Sequence, residues 1–185
     1  MYLTALLVGF VVNYATAVSP CGVKCSCESA TYVLPYYWKE FFGTIPLDAV
    51  QGGVDEDGDP TYIGQAYLQE FGLLPGSLYK GCPKILTSAY DKDIIRDNYI
   101  KILCSNDKYL LKWTPTKQGE HHKLTNCHLV IGGLEVGLTV NIARTRFNGE
   151  TIIGKAFQDD ANNSGLWIPG SRTRFTSYEI LTYNC

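Results

Sequence analysis

Apolar residues in this chain fall in short segments separated by turn residues, a pattern typical of β-strands. The segments are rich in Thr, Val, Ile, Tyr and Phe, and no stretch shows a sustained apolar helical face with a cap and a stop. Long helices are therefore not expected, and the predicted fold class is all-β. The predicted strands are residues 62–67, 110–114, 138–147, 151–157 and 175–183.

Two dipeptides between these segments favour tight hairpins. Asp57-Gly58 and Asn148-Gly149 suit two-residue turns because both central positions of such a turn take a positive φ. We therefore expect a hairpin tip at each dipeptide.

Glycine pairs stand close to predicted strands in each half of the chain. Gly52-Gly53 and Gly132-Gly133 are the two pairs. A glycine in a strand marks a bulge or a close approach of another backbone, where a side chain would clash. Both pairs are therefore expected at such positions.

Comparison of the chain with itself reveals an internal repeat. Matched glycine, aromatic and β-branched positions recur in the same order, with offsets of 75 to 80 residues. A repeat that cannot bury its own apolar face must pack against its twin. We therefore expect residues 37–104 and 105–185 to form two interlocked antiparallel β repeats that do not fold separately. The matched positions are Trp38 and Trp113, 49–55 and 129–135, 62–66 and 141–145, 74–76 and 153–155, and 98–103 and 177–181.

The first residues resemble a signal peptide. Residues 2–12 are nearly all apolar, and Ala15-Thr16-Ala17 supplies the small residues of a cleavage site. A membrane anchor is the alternative, but the apolar run is well short of the roughly 20 residues of a spanning helix. The sequence predicts removal of residues 1–17, a mature chain that begins near Val18, and an extracellular location without a membrane span.

Composition limits the partners of the mature chain. The net charge of −2 and the 18% of charged residues give no bias towards polyanions, so nucleic acid is not expected as a partner. Thirteen tyrosines against one methionine suit a surface that binds polar ligands, although Tyr also favours half-buried strand positions.

Seven cysteines lie beyond the predicted cleavage site, several of them in a Cys-rich segment at residues 18–36. Secretion makes disulfides the expected state, and at least two intrachain bridges are predicted. An odd count leaves one thiol free or available to link chains. Cys104 and Cys185, near the ends of the two repeats, are expected to have different partners or to clip each repeat separately. The spacing at Cys21, Cys25 and Cys27 lacks the paired pattern of zinc sites, so no metal is predicted there.

The repeat resembles a known family, the DM9 repeat. The resemblance rests on 43–46, 52–55, 57–58, 62–64 and 72–76 in the first copy and on 178–181 in the second. It covers residues 37–185 and implies two copies interlocked about a pseudo-twofold axis. Some members are lectins that bind mannose-type glycans in invertebrate immunity, and others carry an aerolysin-like pore-forming region. The chain has no room for that region, so pore formation by this chain alone is not expected.

The resemblance also implies a sugar site in each copy, made of an acid after the glycine pair and a lysine after Pro-Gly. In this chain those positions hold Asp55 and Ser77 in the first copy, with Lys80 three residues on, and Glu135 and Lys155 in the second. A carboxylate accepts hydrogen bonds from neighbouring hydroxyls, and an ammonium donates to sugar oxygens. The second copy is favoured because both charges survive there. In the alternative interpretation Asp55 only supports the adjacent turn and Lys155 is a solvated strand residue.

Other candidate sites are weaker. The acidic run 55–59 has its glycine at the wrong place for an EF-hand, so a hairpin tip is expected rather than calcium. Glu120, His121, His122 and His128 show no metalloprotease spacing. No nucleophile elbow or phosphate-binding loop is present, so no catalytic residue, metal or cofactor is predicted. Asn162 begins an N-glycosylation acceptor in a Gly- and Asn-rich loop.

These observations favour a secreted carbohydrate-binding protein of the mannose-type, lectin-like class, with a role in innate immunity, over an enzyme. The alternative is a secreted protein-binding or structural factor without sugar binding, which interacts with other proteins or with itself through a free cysteine.

Overall fold

A computed structural model describes residues 33–157 and 164–185, and all its strands lie in one compact unit, Leu34–Cys185. The predicted signal peptide, Cys21, Cys25, Cys27 and Asn162 lie outside the described residues. The strands are β1 (Tyr37–Glu40), β2 (Gln51–Val54), β3 (Pro60–Leu68), β4 (Gly72–Tyr79), β5 (Ile85–Ala89), β6 (Lys92–Arg96), β7 (Ile100–Cys104), β8 (Leu111–Lys117), β9 (His128–Leu129), β10 (Ile131–Glu135), β11 (Leu138–Phe147), β12 (Glu150–Phe157), β13 (Leu166–Trp167) and β14 (Ser177–Tyr183).

The all-β prediction is confirmed. The strands join in one 14-stranded sheet in which every pairing is antiparallel, and two short 3-10 turns, Lys108–Leu110 and His121–Lys123, are the helical elements of the described chain. Within the part of the chain that the structure describes, no helix has the length and apolar character needed to cross a membrane. All five strand segments predicted from the sequence overlap observed strands.

Equivalent hydrogen bonds recur in the two halves of the sheet. The N–H of Val50 donates to the carbonyl oxygen of Leu103 at 2.9 Å, and the N–H of Val130 donates to that of Leu181 at 2.9 Å. Trp38 and Trp113, the first matched pair of the proposed repeat, stand opposite Leu103 and Leu181 in the strand register. These contacts are what a duplicated unit would give, and the repeat with its pseudo-twofold axis stays a prediction.

The glycine pairs lie at bulges, as expected. The ladder of β2 with β3 shifts register at Gly52, and that of β10 with β11 shifts at Gly132. A Cβ on Gly53 would lie 2.0 Å from the carbonyl oxygen of Thr151, and one on Gly133 would lie 2.0 Å from that of Leu73. A side chain at either position would therefore force apart backbone segments from opposite halves of the chain.

A side chain of β3 and one of β11 each form a hydrogen bond with the glycine pair of the other half. Gln65 Nε2 donates to the carbonyl oxygen of Gly132 at 2.5 Å. Arg144 Nη1 donates to that of Gly52 at 2.8 Å, and its guanidinium stacks 4.2 Å from the ring centroid of Trp113. The carbonyl oxygen at each bulge thus accepts a hydrogen bond from a side chain of the opposite half, as buried backbone groups require.

One core cluster contains residues of both halves, whereas each of the three other clusters contains residues of only one half. Burial of each large aliphatic side chain stabilises the fold by roughly 1.5–3 kcal/mol. Separate halves would lose this shared cluster, and their inability to fold alone stays a prediction. The shared cluster contains Tyr36, Val50, Ile63, Leu103, Val130, Ile142, Ile153, Leu181 and Tyr183.

The two hairpin dipeptides behave differently. Asn148 and Gly149, at φ +50° and +90°, form the predicted two-residue turn between β11 and β12. The turn predicted at Asp57-Gly58 is wrong in length: residues 55–59 form a five-residue loop in which only Gly58 has a positive φ. The carboxylate of Asp55 stabilises this wider loop, as described below.

Strand β4 lies outside the predicted strand segments, and its sequence contains Pro75 and two glycines, which are unfavourable within a strand. Pro75 stands opposite Gln65 of β3. On its other side β4 pairs with β10 only at residues 72–73 and with β5 only at 77–78, so Pro75 falls in the gap between them. No ladder bond on that side needs an N–H from residue 75, which is why proline is accommodated.

Candidate functional site

Glu135 and Lys155 come together inside the fold. Glu135 ends β10 and Lys155 lies in β12, and both strands pair with β11. Oε2 of Glu135 and Nζ of Lys155 are 2.5 Å apart, and the two side chains are only 7% and 5% exposed. The structure thus joins the two residues proposed for the second sugar site, and it excludes the interpretation of Lys155 as a solvated residue.

The ammonium of Lys155 also reaches the first half of the chain. Nζ donates to the carbonyl oxygen of Ser88 in β5 at 2.8 Å and lies 5.8 Å from the ring centroid of Phe157. Burial lowers the pKa of Lys155, while the charges of Glu135 and Asp91 act in the opposite direction. One donor of this ammonium therefore bonds the Ser88 carbonyl oxygen, and Glu135 Oε2 faces the ammonium as an ion-pair partner without a hydrogen bond of good geometry, so at least one donor has no partner among the described residues.

The ion pair lies in the wall of a cavity of about 220 Å³. The cavity is formed between the β5–β6 hairpin, the β10–β11 hairpin, β12 and the segment 167–171. Its lining combines aromatic rings, aliphatic side chains, three carboxylates and one ammonium. The lining residues are Ser88, Ala89, Tyr90, Asp91, Asp93, Glu135, Val136, Leu138, Lys155, Phe157, Trp167, Ile168 and Ser171.

Two hairpin tips stand at this cavity. Tyr90 and Asp91 form the two-residue turn between β5 and β6, with φ of +47° and +58°. Val136 and Gly137 form the corresponding turn between β10 and β11, with φ of +47° and +85°. Tyr90 is 65% exposed and Val136 60% exposed, so each presents a large apolar surface to solvent beside the cavity.

A further contact ties the cavity walls together. Oδ1 of Asp93 accepts a hydrogen bond from the N–H of Gly170 at 2.8 Å, which joins β6 to the segment after β13. The ring of Tyr90 packs against that of Phe71 with 5.5 Å between centroids. The N–H of Val136 donates to the carbonyl oxygen of Phe71 at 2.9 Å. Phe71 therefore supports both hairpin tips.

The candidate site of the first copy is built differently. Oδ1 of Asp55 accepts from the N–H groups of Asp57 at 3.1 Å and of Asp59 at 2.8 Å, which holds the five-residue loop closed. Ser77 is buried in β4, and its Oγ accepts from the N–H of Ile153 at 3.3 Å. Asp55 thus has the turn-supporting role of the alternative interpretation, and Ser77 has a structural contact.

A tyrosine and a glutamate pair near the first-copy positions. The hydroxyl of Tyr79 donates to Oε2 of Glu150 at 2.9 Å. Burial, followed by the hydrogen bond to Glu150, raises the pKa of Tyr79 well above its usual range. The hydroxyl therefore stays protonated and continues to donate to that carboxylate.

Sequence reasoning missed the residues that surround the ion pair, above all Tyr90, Asp91 and Val136. Neither Tyr-Asp nor Val-Gly predicts a two-residue turn, because bulky residues rarely have a positive φ. The only local signal was a pair of adjacent apolar segments on either side of each tip.

The described cysteines form one disulfide, between Cys127 and Cys185. Cys82 and Cys104 carry thiols, and burial raises the pKa of Cys104 to about 11. Cys185 is bridged to Cys127 of the second half, whereas Cys104 is not in a disulfide, so the bridge expected at Cys104 is not found among the described residues. The presence of at least two bridges stays a prediction, because three of the seven cysteines lie outside the described residues.

Within the described ranges, no group of three or more His, Cys, Asp or Glu side chains is arranged to hold a metal ion. Nε2 of His121 is 2.7 Å from the hydroxyl of Tyr178, and the ring of His128 stacks on that of Tyr183. These two histidines therefore have structural neighbours.

Comparison with known proteins adds no family to these observations. The chain matches no protein-family model, and its sequence matches no curated protein. The resemblance to the DM9 repeat stays a prediction, and function is argued from the site itself.

Proposed function

We propose that this protein is a carbohydrate-binding protein whose site is the cavity beside the Glu135–Lys155 ion pair. The observation that carries the proposal is the meeting of these two buried charges in the wall of an open, partly aromatic cavity. Secretion, a preference for mannose-type glycans and a role in innate immunity complete the proposal and rest on the resemblance to lectins with DM9 repeats.

The chemistry of the lining suits a sugar ring. A pyranose has hydroxyls around its edge and C–H groups on its faces. The aromatic rings of Tyr90, Phe157 and Trp167 offer flat apolar surfaces that match those faces, and Tyr90 and Trp167 add a polar group at the ring edge. Carboxylates accept two hydroxyls at once, and the remaining donor of the Lys155 ammonium suits a sugar oxygen.

The size of the cavity favours a single sugar residue. Pockets for drug-sized ligands enclose roughly 300–1,000 Å³, and this cavity, at about 220 Å³, is smaller. A terminal hexose of a glycan would fill it, while the rest of the glycan would extend into solvent. Binding of this kind is weak for one site and depends on each polar contact.

A second candidate is protein binding. Exposed apolar side chains lie along β10 and the start of β11, which is unusual for the solvated face of a strand and suits a protein partner. These side chains are Ile131, Leu134, Val136 and Leu138, each between 40% and 60% exposed. Retention of a protein ligand by a chain that ignores all glycans would favour this candidate.

The test is a glycan array, followed by ligand-observed NMR with mannose on the purified protein. A double variant, Glu135→Gln with Lys155→Met, removes both charges without leaving either buried alone. The double variant is expected to remain folded, as shown by a cooperative unfolding transition. Its affinity for the glycan is expected to fall roughly 10- to 100-fold, the effect of one lost charge-assisted hydrogen bond.

Ser77→Ala is the matched control, because Ser77 is buried at the corresponding first-copy position and makes a contact only within the fold among the described residues. Its binding is expected to equal that of the parent. Failure of the parent to bind any glycan, or unchanged binding by a folded double variant, would show that the proposal is wrong.

A further inference from the structure

The two hairpin tips at the cavity depart from the usual chemistry of their turn. Both central residues of such a turn have positive φ, which favours Asn and Gly, whereas a bulky or β-branched residue there is strained. The third two-residue hairpin, between β11 and β12, lies away from the cavity and has Asn148 at the first central position. At the cavity the same position is taken by Tyr90 and by Val136.

Tyr90 and Val136, at the first central position of the two turns, expose apolar surface beside the cavity. Apart from the contact of the Tyr90 ring with Phe71, Tyr90 and Val136 gain little from burial, because most of each side chain is in contact with solvent. Backbone strain without compensating burial is typical of binding sites, where the side chain contacts a ligand instead. The geometry thus offers two apolar surfaces for the faces of a bound ring.

The charge of the cavity restricts what can bind between them. Three carboxylates, those of Asp91, Asp93 and Glu135, share the lining with one ammonium, that of Lys155. Glu135 is paired with Lys155, and one oxygen of Asp93 accepts from Gly170. Asp91 is exposed, and among the described residues no cation lies within ion-pair distance of it.

The position of Asp91 makes its charge available to a ligand. It occupies the second central position of the β5–β6 turn, next to Tyr90, and it lines the same cavity as Lys155, whose pKa its charge raises. An anionic ligand would meet a net negative wall, whereas a ligand with an ammonium group would supply the missing partner of Asp91.

We propose that the cavity selects an amine-bearing saccharide, with Tyr90 and Val136 against the faces of the ring and the Asp91 carboxylate paired with the ammonium. This inference rests on the proposed carbohydrate-binding function and names the ligand class of that same site. The same charges weaken the binding of saccharides that carry a carboxylate or sulfate.

The experiment compares four ligands on one ring: D-mannose, D-mannosamine, N-acetyl-D-mannosamine and D-mannuronic acid. Affinities are measured by calorimetry or NMR titration at mildly acidic pH, where the amine is protonated. Mannosamine is expected to bind roughly tenfold more tightly than mannose or its N-acetyl form, an effect typical of one partly solvated charge pair, and mannuronic acid is expected to bind most weakly.

Two variants assign the effect to the proposed residues. Asp91→Asn keeps a residue that tolerates positive φ, and it is expected to remove the roughly tenfold advantage of mannosamine over mannose, whatever its effect on mannose itself. Tyr90→Asn relieves the strained turn, so it is expected to raise the midpoint of thermal unfolding. It also removes an aromatic surface of the cavity, so the affinity for every saccharide that binds is expected to fall. Asp97→Asn changes an exposed carboxylate outside the cavity and is expected to alter neither property.

The outcomes separate the two proposals. Equal binding of mannose and mannosamine by the parent, or an unchanged mannosamine advantage in Asp91→Asn, overturns the amine preference and leaves carbohydrate binding in place. Absence of binding of all four ligands and of every arrayed glycan overturns both.

Discussion

Lys155 Nζ lies 2.5 Å from Glu135 Oε2, in a pair of side chains that are almost fully buried. The two residues are on strands that flank β11, and the ammonium also holds the carbonyl oxygen of Ser88 from the other half of the chain. Desolvation of two charges offsets much of their attraction, so such a pair is a poor source of stability. Because the ion pair lies in the wall of an open cavity, a role in ligand binding explains it better than a contribution to stability does.

Lys155→Met is expected to destabilise the protein by roughly 3–5 kcal/mol, because it leaves the buried carboxylate of Glu135 without a counter-charge. The double variant with Glu135→Gln removes that charge as well and is expected to recover most of the loss. Urea unfolding of the parent, both single variants and the double variant measures the coupling between the two positions. Additive effects of the two single changes would contradict a direct ion pair.

Gly53→Ala and Gly133→Ala are each expected to lower the free energy of unfolding by at least about 2 kcal/mol. In both cases the new methyl group would lie 2.0 Å from a carbonyl oxygen of the opposite half. Gly81→Ala serves as the control, because Gly81 has φ +76° and no atom within 4 Å of a Cβ, so only a backbone cost of roughly 1 kcal/mol is expected. Equal losses in all three variants, measured by urea unfolding, would mean that the close approach of the halves is unimportant.

Asp48 is expected to make stability sensitive to acid. Lys39 Nζ donates to its two oxygens at 3.0 and 2.8 Å, and the Tyr37 hydroxyl also donates to it. These hydrogen bonds, with that of Lys39 first, hold the pKa of Asp48 well below its ordinary value of 3.8. A carboxyl group with a lowered folded pKa contributes stability that is present above pH 3.8 and is lost as the pH falls through the folded value.

The check is the urea midpoint between about pH 6 and about pH 2. Asp48→Asn is expected to lower the midpoint near neutral pH and to flatten its decline in acid, because the neutral amide cannot titrate. Glu56→Gln, which changes an exposed acid that forms no ion pair with the described residues, should leave the curve unchanged. A parallel acid decline in Asp48→Asn and the parent would exclude this role.

The Cys127–Cys185 disulfide closes a long loop, because the two cysteines are separated by 58 positions in the sequence. Replacement of both cysteines by Ser is expected to cost roughly 4 kcal/mol, since the unfolded chain gains the freedom that the bridge removes. Cys82→Ser changes a half-buried thiol and serves as the control. Thermal unfolding measures the loss, and peptide mapping without reductant should recover the linked 127 and 185 peptides. Recovery of Cys185 linked to any other cysteine would refute the pairing.

Local chemistry allowed part of this fold to be predicted. The β-rich segments, the turn at Asn148-Gly149 and the bulged glycine pairs each depend on a few adjacent residues whose backbone preferences are strong. Glu135 and Lys155 could also be named before the structure, although only through a resemblance between motifs. The length of the loop at Asp57-Gly58 could not be predicted from the dipeptide. The loop is longer than two residues because the Asp55 carboxylate accepts hydrogen bonds from the N–H groups of Asp57 and Asp59.

The sequence by itself determined an all-β chain; the repeat stays a prediction, and Glu135 and Lys155 were named as candidates through the resemblance alone. Only the tertiary structure decided that those charges meet, that Asp55 and Ser77 serve the fold, and that Tyr90, Asp91 and Val136 surround the ion pair. The reason is physical. A strand or a turn is selected by the conformational preferences of neighbouring residues, whereas this cavity is made by four distant segments that approach one another only when the shared core of the two halves is packed.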